Sequence, residues 1–161
     1  MDKNYENPDK RLDFENKAVN LQTNETFCAN YNREMEEKPL TKIYLAIPYS
    51  GFEESSYQQA TEATMIIINE MGHNVFSPIT HSHPIAKLGV KGTWDYWQKI
   101  DYQFIDWADE VWVLIPKEGL TSVLKSTGVV AECKYALQHN KKIKYLTISQ
   151  GVTKFLEYGS N

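Results

Sequence analysis

Short apolar runs alternate with longer amphipathic segments between residues 42 and 148. The run Lys42–Ile47 has no alternating polar face, which is typical of a strand covered on both sides in a parallel sheet. Glu110–Ile115 and Lys142–Ile148 predict two further strands. A shorter run, His73–Ser77, predicts a further strand that Pro78 closes.

Helical spacing of apolar residues predicts three helices between these strands. They span Glu53–Met71, which Gly72 ends, about Trp94–Ala108 and about Gly128–His139. Strands that alternate with helices predict a three-layer α/β/α fold of the flavodoxin or Rossmann type, with a parallel sheet of four to five strands. The tail Gly151–Tyr158 is predicted to be helical.

Residues 1–40 differ in composition from the rest of the chain. They are rich in Asn, Glu, Lys and Asp and contain few aliphatic residues, so they bury too little apolar surface to fold alone. We predict an amino-terminal arm over 1–40, flexible or packed on the domain or a neighbouring subunit, and one folded domain over 41–161. Within the arm, Glu25–Lys38 has the pattern of a short helix.

Two long connections follow predicted strands. Ile79–Thr93 is long for a compact α/β domain, which favours a lid or binding loop, and Pro116–Thr127 precedes the third helix. Ligands of such sheets bind beyond the carboxyl ends of the strands. These connections are therefore predicted to frame a site, together with Ser50 and Gly51 after the first strand.

Charge and composition limit the classes of partner that we expect the protein to bind. The 161 residues carry a net charge of −4, with a sequence pI near 5.6, whereas binding to nucleic acid needs a basic field. No apolar run approaches the roughly 18–20 residues of a membrane span, and the first residues lack a signal peptide's apolar segment. Cys28 and Cys133 have neither disulfide-scaffold nor metal-site spacing. We expect a cytoplasmic protein that binds small molecules, with no nucleic-acid or membrane partner.

A polar turn opens the third helix at Ser126, Thr127 and Gly128. Free backbone N–H groups at such a start suit an anion, and the Ser126 hydroxyl can donate to a phosphate that an acidic residue would repel. Lys125 adds positive charge. Glu132 lies in or just after the first turn, where the helix dipole favours an ionised carboxylate, as a nucleophile requires. The alternative is that Glu132 only occupies the start of the helix and has no chemical role.

Asp101 falls within the apolar stripe of the helix about Trp94–Ala108, one turn from Trp97 and Ile105. A carboxyl group in that position needs a partner or a chemical role, and desolvation would raise its pKa as a proton donor requires. A core salt bridge or a cap is the alternative. Trp97 is a candidate to stack on a ligand ring, although packing in the core also explains it.

His81 and His83 lie two residues apart in the Ile79–Thr93 connection. Two imidazoles at this spacing could share a metal ion, but no third ligand has a recognisable spacing. We therefore predict no metal and no cofactor. The two histidines are instead expected to shape the loop and to contact the ligand.

The ordered set Tyr44, Asp101 and Ser126-x-Gly128-x-x-x-Glu132 resembles the nucleoside 2-deoxyribosyltransferase superfamily, and most closely its nucleoside 5′-monophosphate N-glycosidases. The resemblance covers about residues 42–148. Three longer strings look like those of mostly uncharacterised bacterial and phage proteins of that superfamily, namely Tyr44–Ser50, Phe76–Pro84 and Trp94–Asp101.

The resemblance implies a role for each matched residue. Glu132 would attack C1′ of the sugar, Asp101 would handle the proton of the departing base, and Tyr44 would orient the nucleophile. Ser126, where the transferases typically have an acidic residue, would help to bind a 5′-phosphate. The implied reaction is hydrolysis of a (deoxy)nucleoside 5′-monophosphate to free base and (deoxy)ribose 5-phosphate, by a homodimer or larger homo-oligomer.

Three alternatives remain at the level of sequence. The protein could be a nucleoside 2-deoxyribosyltransferase, which passes the sugar to a second base instead of water. It could be a non-catalytic nucleotide-sensing module that uses the same helix start for binding alone. It could also be a glycohydrolase that cleaves NAD at its nicotinamide–ribose bond.

Overall fold

The structure, a computed structural model, describes residues 40–90, 92–149 and 151–156. The predicted arm, with its helix Glu25–Lys38, lies almost wholly outside this range and stays a prediction. The described elements are β1 (Lys42–Ala46), α1 (Glu53–Met71), β2 (Asn74–Phe76), α2 (Pro78–Lys87), α3 (Trp94–Trp107), β3 (Glu110–Leu114), α4 (Leu120–Lys125), α5 (Thr127–Gln138), β4 (Lys142–Ser149) and β5 (Val152–Phe155).

The five strands form one sheet in the order β2-β1-β3-β4-β5. The first four strands in this order run parallel, and β5 is antiparallel to β4. The predicted α/β fold with a largely parallel sheet is therefore confirmed. The chain passes from β1 to β2 on one side and continues with β3 on the other, so the strand order reverses between β1 and β3. In open α/β sheets this is the position where ligands bind, beyond the carboxyl ends of the strands.

Side chains of β1 alternate between two apolar layers. Leu45 packs with Ala63 and Ile67 of α1 on one face of the sheet. Tyr44 and its neighbour two residues on, Ala46, pack on the other face against α3 and α5. Because Tyr44 is fully buried in this second layer, its hydroxyl lies between the two helices that carry the predicted catalytic carboxyl groups.

The connection predicted as the loop Ile79–Thr93 is largely helical, because α2 occupies its first half. The Ser77 hydroxyl caps this helix by accepting from the backbone N–H of Thr80 at 3.4 Å, and Pro78 takes the first helical position, where its missing N–H costs nothing. The connection Pro116–Thr127 is likewise interrupted by the short helix α4.

The helix predicted for Gly151–Tyr158 is wrong over Val152–Phe155, which forms β5. Gly151 has a φ of 75° and supplies the turn into this strand. Phe155 then packs edge-on against Trp112 with ring centroids 4.9 Å apart. Pairing with β4 and this aromatic contact explain why the segment is extended.

Candidate active site

The hydroxyl of Tyr44 donates a hydrogen bond of 2.8 Å to Oε1 of Glu132, and both side chains are buried. Strand β1 directs Tyr44 into the layer beneath α5. Glu132 lies on the sheet-facing stripe of α5, one turn from Val129 and from Ala136, which are both buried. The bond therefore joins the centre of the sheet to the second turn of the helix.

Asp101 is buried on α3, one turn before the buried Ile105. It has no hydrogen-bond partner among the residues that the structure describes. Asp101 and Glu132 both line one cavity of about 830 Å³, located beyond the carboxyl ends of β1 and β3. The structure thus brings together two acids that are 31 positions apart in the sequence.

Burial raises the pKa of both carboxyl groups. Desolvation raises the pKa of Asp101 to about 7. Desolvation and the nearby Asp101 raise the pKa of Glu132 to about 8, while the hydrogen bond from Tyr44 lowers it. The pair accordingly retains a proton near neutral pH, and the hydrogen bond from Tyr44 offsets part of the rise in the pKa of Glu132. The pKa of Tyr44 is raised by burial, so its hydroxyl remains a donor.

The expectation that the helix dipole keeps Glu132 ionised is not met, because burial raises the pKa of this carboxyl group. Glu132 is the sixth residue of α5, beyond the first turn in which the dipole acts, and burial dominates its pKa. The predicted burial of Asp101 and the direction of its pKa shift are confirmed.

The cavity continues from the carboxyl pair to the start of α5, where Lys125, Ser126, Thr127 and Gly128 line its wall. Ser126 is the N-cap, and its hydroxyl oxygen accepts from the backbone N–H of Val129 at 3.3 Å. The hydroxyl proton stays available to a ligand. Within the described part of the chain, the N–H groups of Thr127 and Gly128 have no partner, so this end of the cavity offers several donors to an anion.

Of the two residues predicted to bind substrate in the turn after β1, one lines the cavity and the other does not. Ser50 lines the cavity, as predicted, whereas Gly51 does not. Gly51 has a φ of 86°, and its N–H donates to Oε1 of Glu53 at 2.8 Å. Its role is therefore to make the turn, which a residue with a side chain would make under strain.

Trp94 and Trp97 of α3 line the same cavity. A Cβ atom added at Gly128 would lie 3.3 Å from the ring of Trp94, and one added at Gly92 would overlap the indole of Trp97. The absence of side chains at these two glycines lets both indoles approach the backbone. Trp97 is thus placed at the site, as the sequence suggested.

His81 and His83 do not line the cavity, which corrects their expected place in contact with a ligand. His81 is exposed and packs against Phe76 with ring centroids 6.0 Å apart. His83 is buried between α1 and α2, because the segment is a helix whose one face packs inward. Among the described residues, no cluster of three or more His, Cys, Asp or Glu could hold a metal ion.

Tyr49 and Glu118 are among the residues of the cavity wall that were not predicted from the sequence. Oε1 of Glu118 accepts from Ser55 at 2.9 Å, and the next residue toward the amino terminus, Lys117, donates its N–H to Gln59 at 2.8 Å. These bonds hold the β3–α4 loop against α1. Tyr49 follows the predicted strand Lys42–Ile47 by two residues, which was a usable signal, whereas Glu118 had none.

In the part of the chain that the structure covers, no helix is both long and apolar enough to cross a membrane.

Comparison with known proteins gives a structural and a family relationship. The fold is similar to that of a 2-deoxyribosyltransferase from the psychrotolerant bacterium Bacillus psychrosaccharolyticus, with a TM-score of 0.50 and 24% sequence identity over 70% of this chain and 76% of that one. No curated protein sequence matches the chain. The family model described as "Domain of unknown function (DUF1937)" matches residues 41–147. The chain therefore belongs to the DUF1937 family.

Proposed function

We propose that this protein cleaves the N-glycosidic bond of a nucleoside 5′-monophosphate and releases the free base and the sugar 5-phosphate. The observation that carries the proposal is the buried pair Asp101 and Glu132, which face one cavity while Tyr44 donates to Glu132. Two carboxyl groups around an anomeric carbon are the arrangement that breaks glycosidic bonds with retention. The similarity in fold to a 2-deoxyribosyltransferase supports the same class of bond.

In the first step, the carboxylate of Glu132 attacks C1′ and forms a glycosyl ester. The C1′–N bond breaks, its electron pair goes to the base nitrogen, and the Asp101 carboxyl supplies the proton that neutralises the leaving base. A raised pKa suits Asp101 to this task. The hydroxyl of Tyr44 stabilises Glu132 in its charged form before attack and fixes its orientation.

In the second step, Asp101, now ionised, takes a proton from water, and the resulting hydroxide attacks C1′ of the glycosyl ester. The ester bond breaks, Glu132 regains its charge, and the sugar 5-phosphate is released. The phosphate would lie at the start of α5, against the Ser126 hydroxyl, the N–H groups of Thr127 and Gly128, and the ammonium group of Lys125.

Transfer of the sugar to a second base is the second candidate, because the protein of similar fold is a 2-deoxyribosyltransferase. The two reactions share the glycosyl ester and differ only in what attacks it. Incubation of a nucleotide or nucleoside with a different free base separates them: an exchanged product shows transfer, and free sugar shows hydrolysis.

The direct test is chromatographic. Purified protein is incubated with ribo- and deoxyribonucleoside monophosphates, the matching nucleosides and NAD, and base release is measured. We expect the wild-type protein to release the base from a monophosphate. This release should be lost in Glu132→Ala and strongly reduced in Asp101→Asn. Tight nucleotide binding without release would favour a sensing module, and nicotinamide release would favour cleavage of NAD. Full turnover by Glu132→Ala would remove the proposed nucleophile.

The phosphate assignment has its own test in Ser126→Asp. A carboxylate at the start of α5 would repel the phosphate, so KM for the monophosphate should rise by about tenfold or more, the range for hydrogen bonds to charged groups. The matching nucleoside is the internal control, because its KM should not rise. Equal changes for both substrates would place the phosphate elsewhere.

A further inference from the structure

The backbone around Tyr49 is fixed by the turn that joins β1 to α1. The carbonyl of Tyr49 accepts from the N–H of Phe52 at 3.0 Å. The carbonyl of the preceding Pro48 accepts from the buried hydroxyl of Ser56 at 2.6 Å. The chain therefore presents Tyr49 to the cavity from a rigid turn, and only its side-chain torsions remain to be set.

His83 sets those torsions from outside the cavity. The Tyr49 hydroxyl and Nδ1 of His83 are 2.9 Å apart, and their rings meet edge to face at 5.9 Å. His83 is itself held by a parallel stack on Tyr57, with ring centroids 4.4 Å apart, and Oε2 of Glu54 lies 3.4 Å from its Nε2. Burial and neighbouring acids raise the pKa of Tyr49, so its hydroxyl keeps its proton and can donate to the imidazole.

Tyr49 lines the cavity from the turn after β1. Apolar residues of the turn after β1 and of α2 line the same cavity, namely Ile47, Pro48, Pro78, Ile79 and Ala86. The donors for an anion lie at the start of α5, which follows β3 on the opposite side of β1 in the sheet. A substrate whose sugar lies at the carboxyl pair and whose phosphate lies at α5 would extend a flat face of its base toward Tyr49.

We propose that His83 is a positioning residue that holds Tyr49 as the wall against which the base lies. This inference rests on the proposed function. It explains how a buried histidine that does not line the cavity can contribute to base binding. Because His83 does not line the cavity that holds the carboxyl pair, loss of the Tyr49–His83 bond should weaken substrate binding and leave the chemical step unchanged.

The test compares Tyr49→Phe, His83→Phe, the double variant and His83→Asn. Phenylalanine at 83 keeps a ring against Tyr57 but removes the acceptor, whereas asparagine retains an acceptor close to the position of Nδ1. Each single Phe variant should raise KM by roughly three- to tenfold, the usual range for one hydrogen bond, with kcat unchanged. The double variant should be no worse than either single one, and His83→Asn should restore most of the loss.

A second tyrosine–histidine pair on the described surface of α5 provides matched controls. Tyr135 donates to Asp106 at 3.0 Å and stacks on His139 at 3.9 Å, and neither ring lines the cavity. Tyr135→Phe and His139→Asn should leave KM unaltered. Thermal melts of every variant separate a binding effect from a folding defect.

The outcomes separate this inference from the proposed function. Two results would overturn the role of His83 while the wild-type protein still turns over substrate: effects of Tyr49→Phe and His83→Phe on KM that add in the double variant, or no rise in KM for Tyr49→Phe. Either result leaves the roles of Glu132 and Asp101 in place. A lower kcat at constant KM also overturns the role of His83. If the wild-type protein neither binds nor cleaves any nucleoside, nucleotide or NAD, the proposed function and this inference fall together.

Discussion

Replacing Glu132 with glutamine should make the protein more stable at alkaline pH, because burial raises the pKa of this carboxyl group from its usual value near 4.5 to about 8. As pH rises, the unfolded chain releases this proton before the folded protein does. The contribution of Glu132 to the free energy of unfolding is therefore greatest below about pH 4.5 and falls as pH approaches 8. Glutamine has no proton to lose, and its amide oxygen can still accept from Tyr44.

The magnitude follows from the width of this window. One pH unit corresponds to about 1.4 kcal/mol per proton, so Glu132 alone lowers the free energy of unfolding by roughly 4 kcal/mol between about pH 5 and pH 8. Asp101 titrates in the same range and is coupled to Glu132, so their contributions do not add. At pH 8 we expect Glu132→Gln to exceed the wild type by about 3–4 kcal/mol on the same basis, with little difference at pH 5.

Urea unfolding at a series of pH values measures this directly. The wild-type free energy of unfolding should slope downward with pH, and the Glu132→Gln slope should be flatter. Glu70→Gln, at an exposed position of α1, is the matched control and should follow the wild type. Parallel slopes for the wild type and Glu132→Gln would show that the carboxyl group is not desolvated as the structure implies.

Three further predictions concern the surroundings of the pair. Tyr44→Phe removes the 2.8 Å hydrogen bond to Glu132, so kcat should fall by about 10- to 100-fold. The acid limb of the pH–rate profile should move to higher pH. Gly128→Ala places a Cβ atom 3.3 Å from Trp94, which must shift, and KM should rise while the melting temperature changes little. Gln59→Leu removes the 2.8 Å bond to the N–H of Lys117, and hydrogen exchange at that amide should accelerate severalfold.

The sequence predicted the elements that are long or strongly patterned. Helix Glu53–Met71 was predicted with the observed bounds, because its apolar spacing is regular and Gly72 stops it in the left-handed conformation. The buried strands and the inward position of Asp101 also followed from periodicity, since a carboxyl group in an apolar stripe is anomalous. These features depend on the local pattern, which the sequence carries in full.

The missed elements depend on tertiary contacts. Helix α2 contains an internal Pro84 and polar residues that resemble a loop, and it is stabilised by the burial of His83 against Tyr57 and Tyr49. Strand β5 is only four residues long and is extended because β4 offers it an edge. Short segments of this kind have no period of their own, so their conformation is decided by what they pack against.

The position of the carboxyl pair lowers the stability of the fold. Two apolar side chains in place of Asp101 and Glu132 would fill the layer between α3 and α5 without the desolvation of charge that a buried acid incurs. The hydrogen bond from Tyr44 satisfies one oxygen of one of them, and Asp101 faces the cavity with no partner in the described structure. An arrangement that weakens the fold as pH rises, yet holds one proton between two acids beside the free N–H groups of a helix start, is one that the proposed reaction would require.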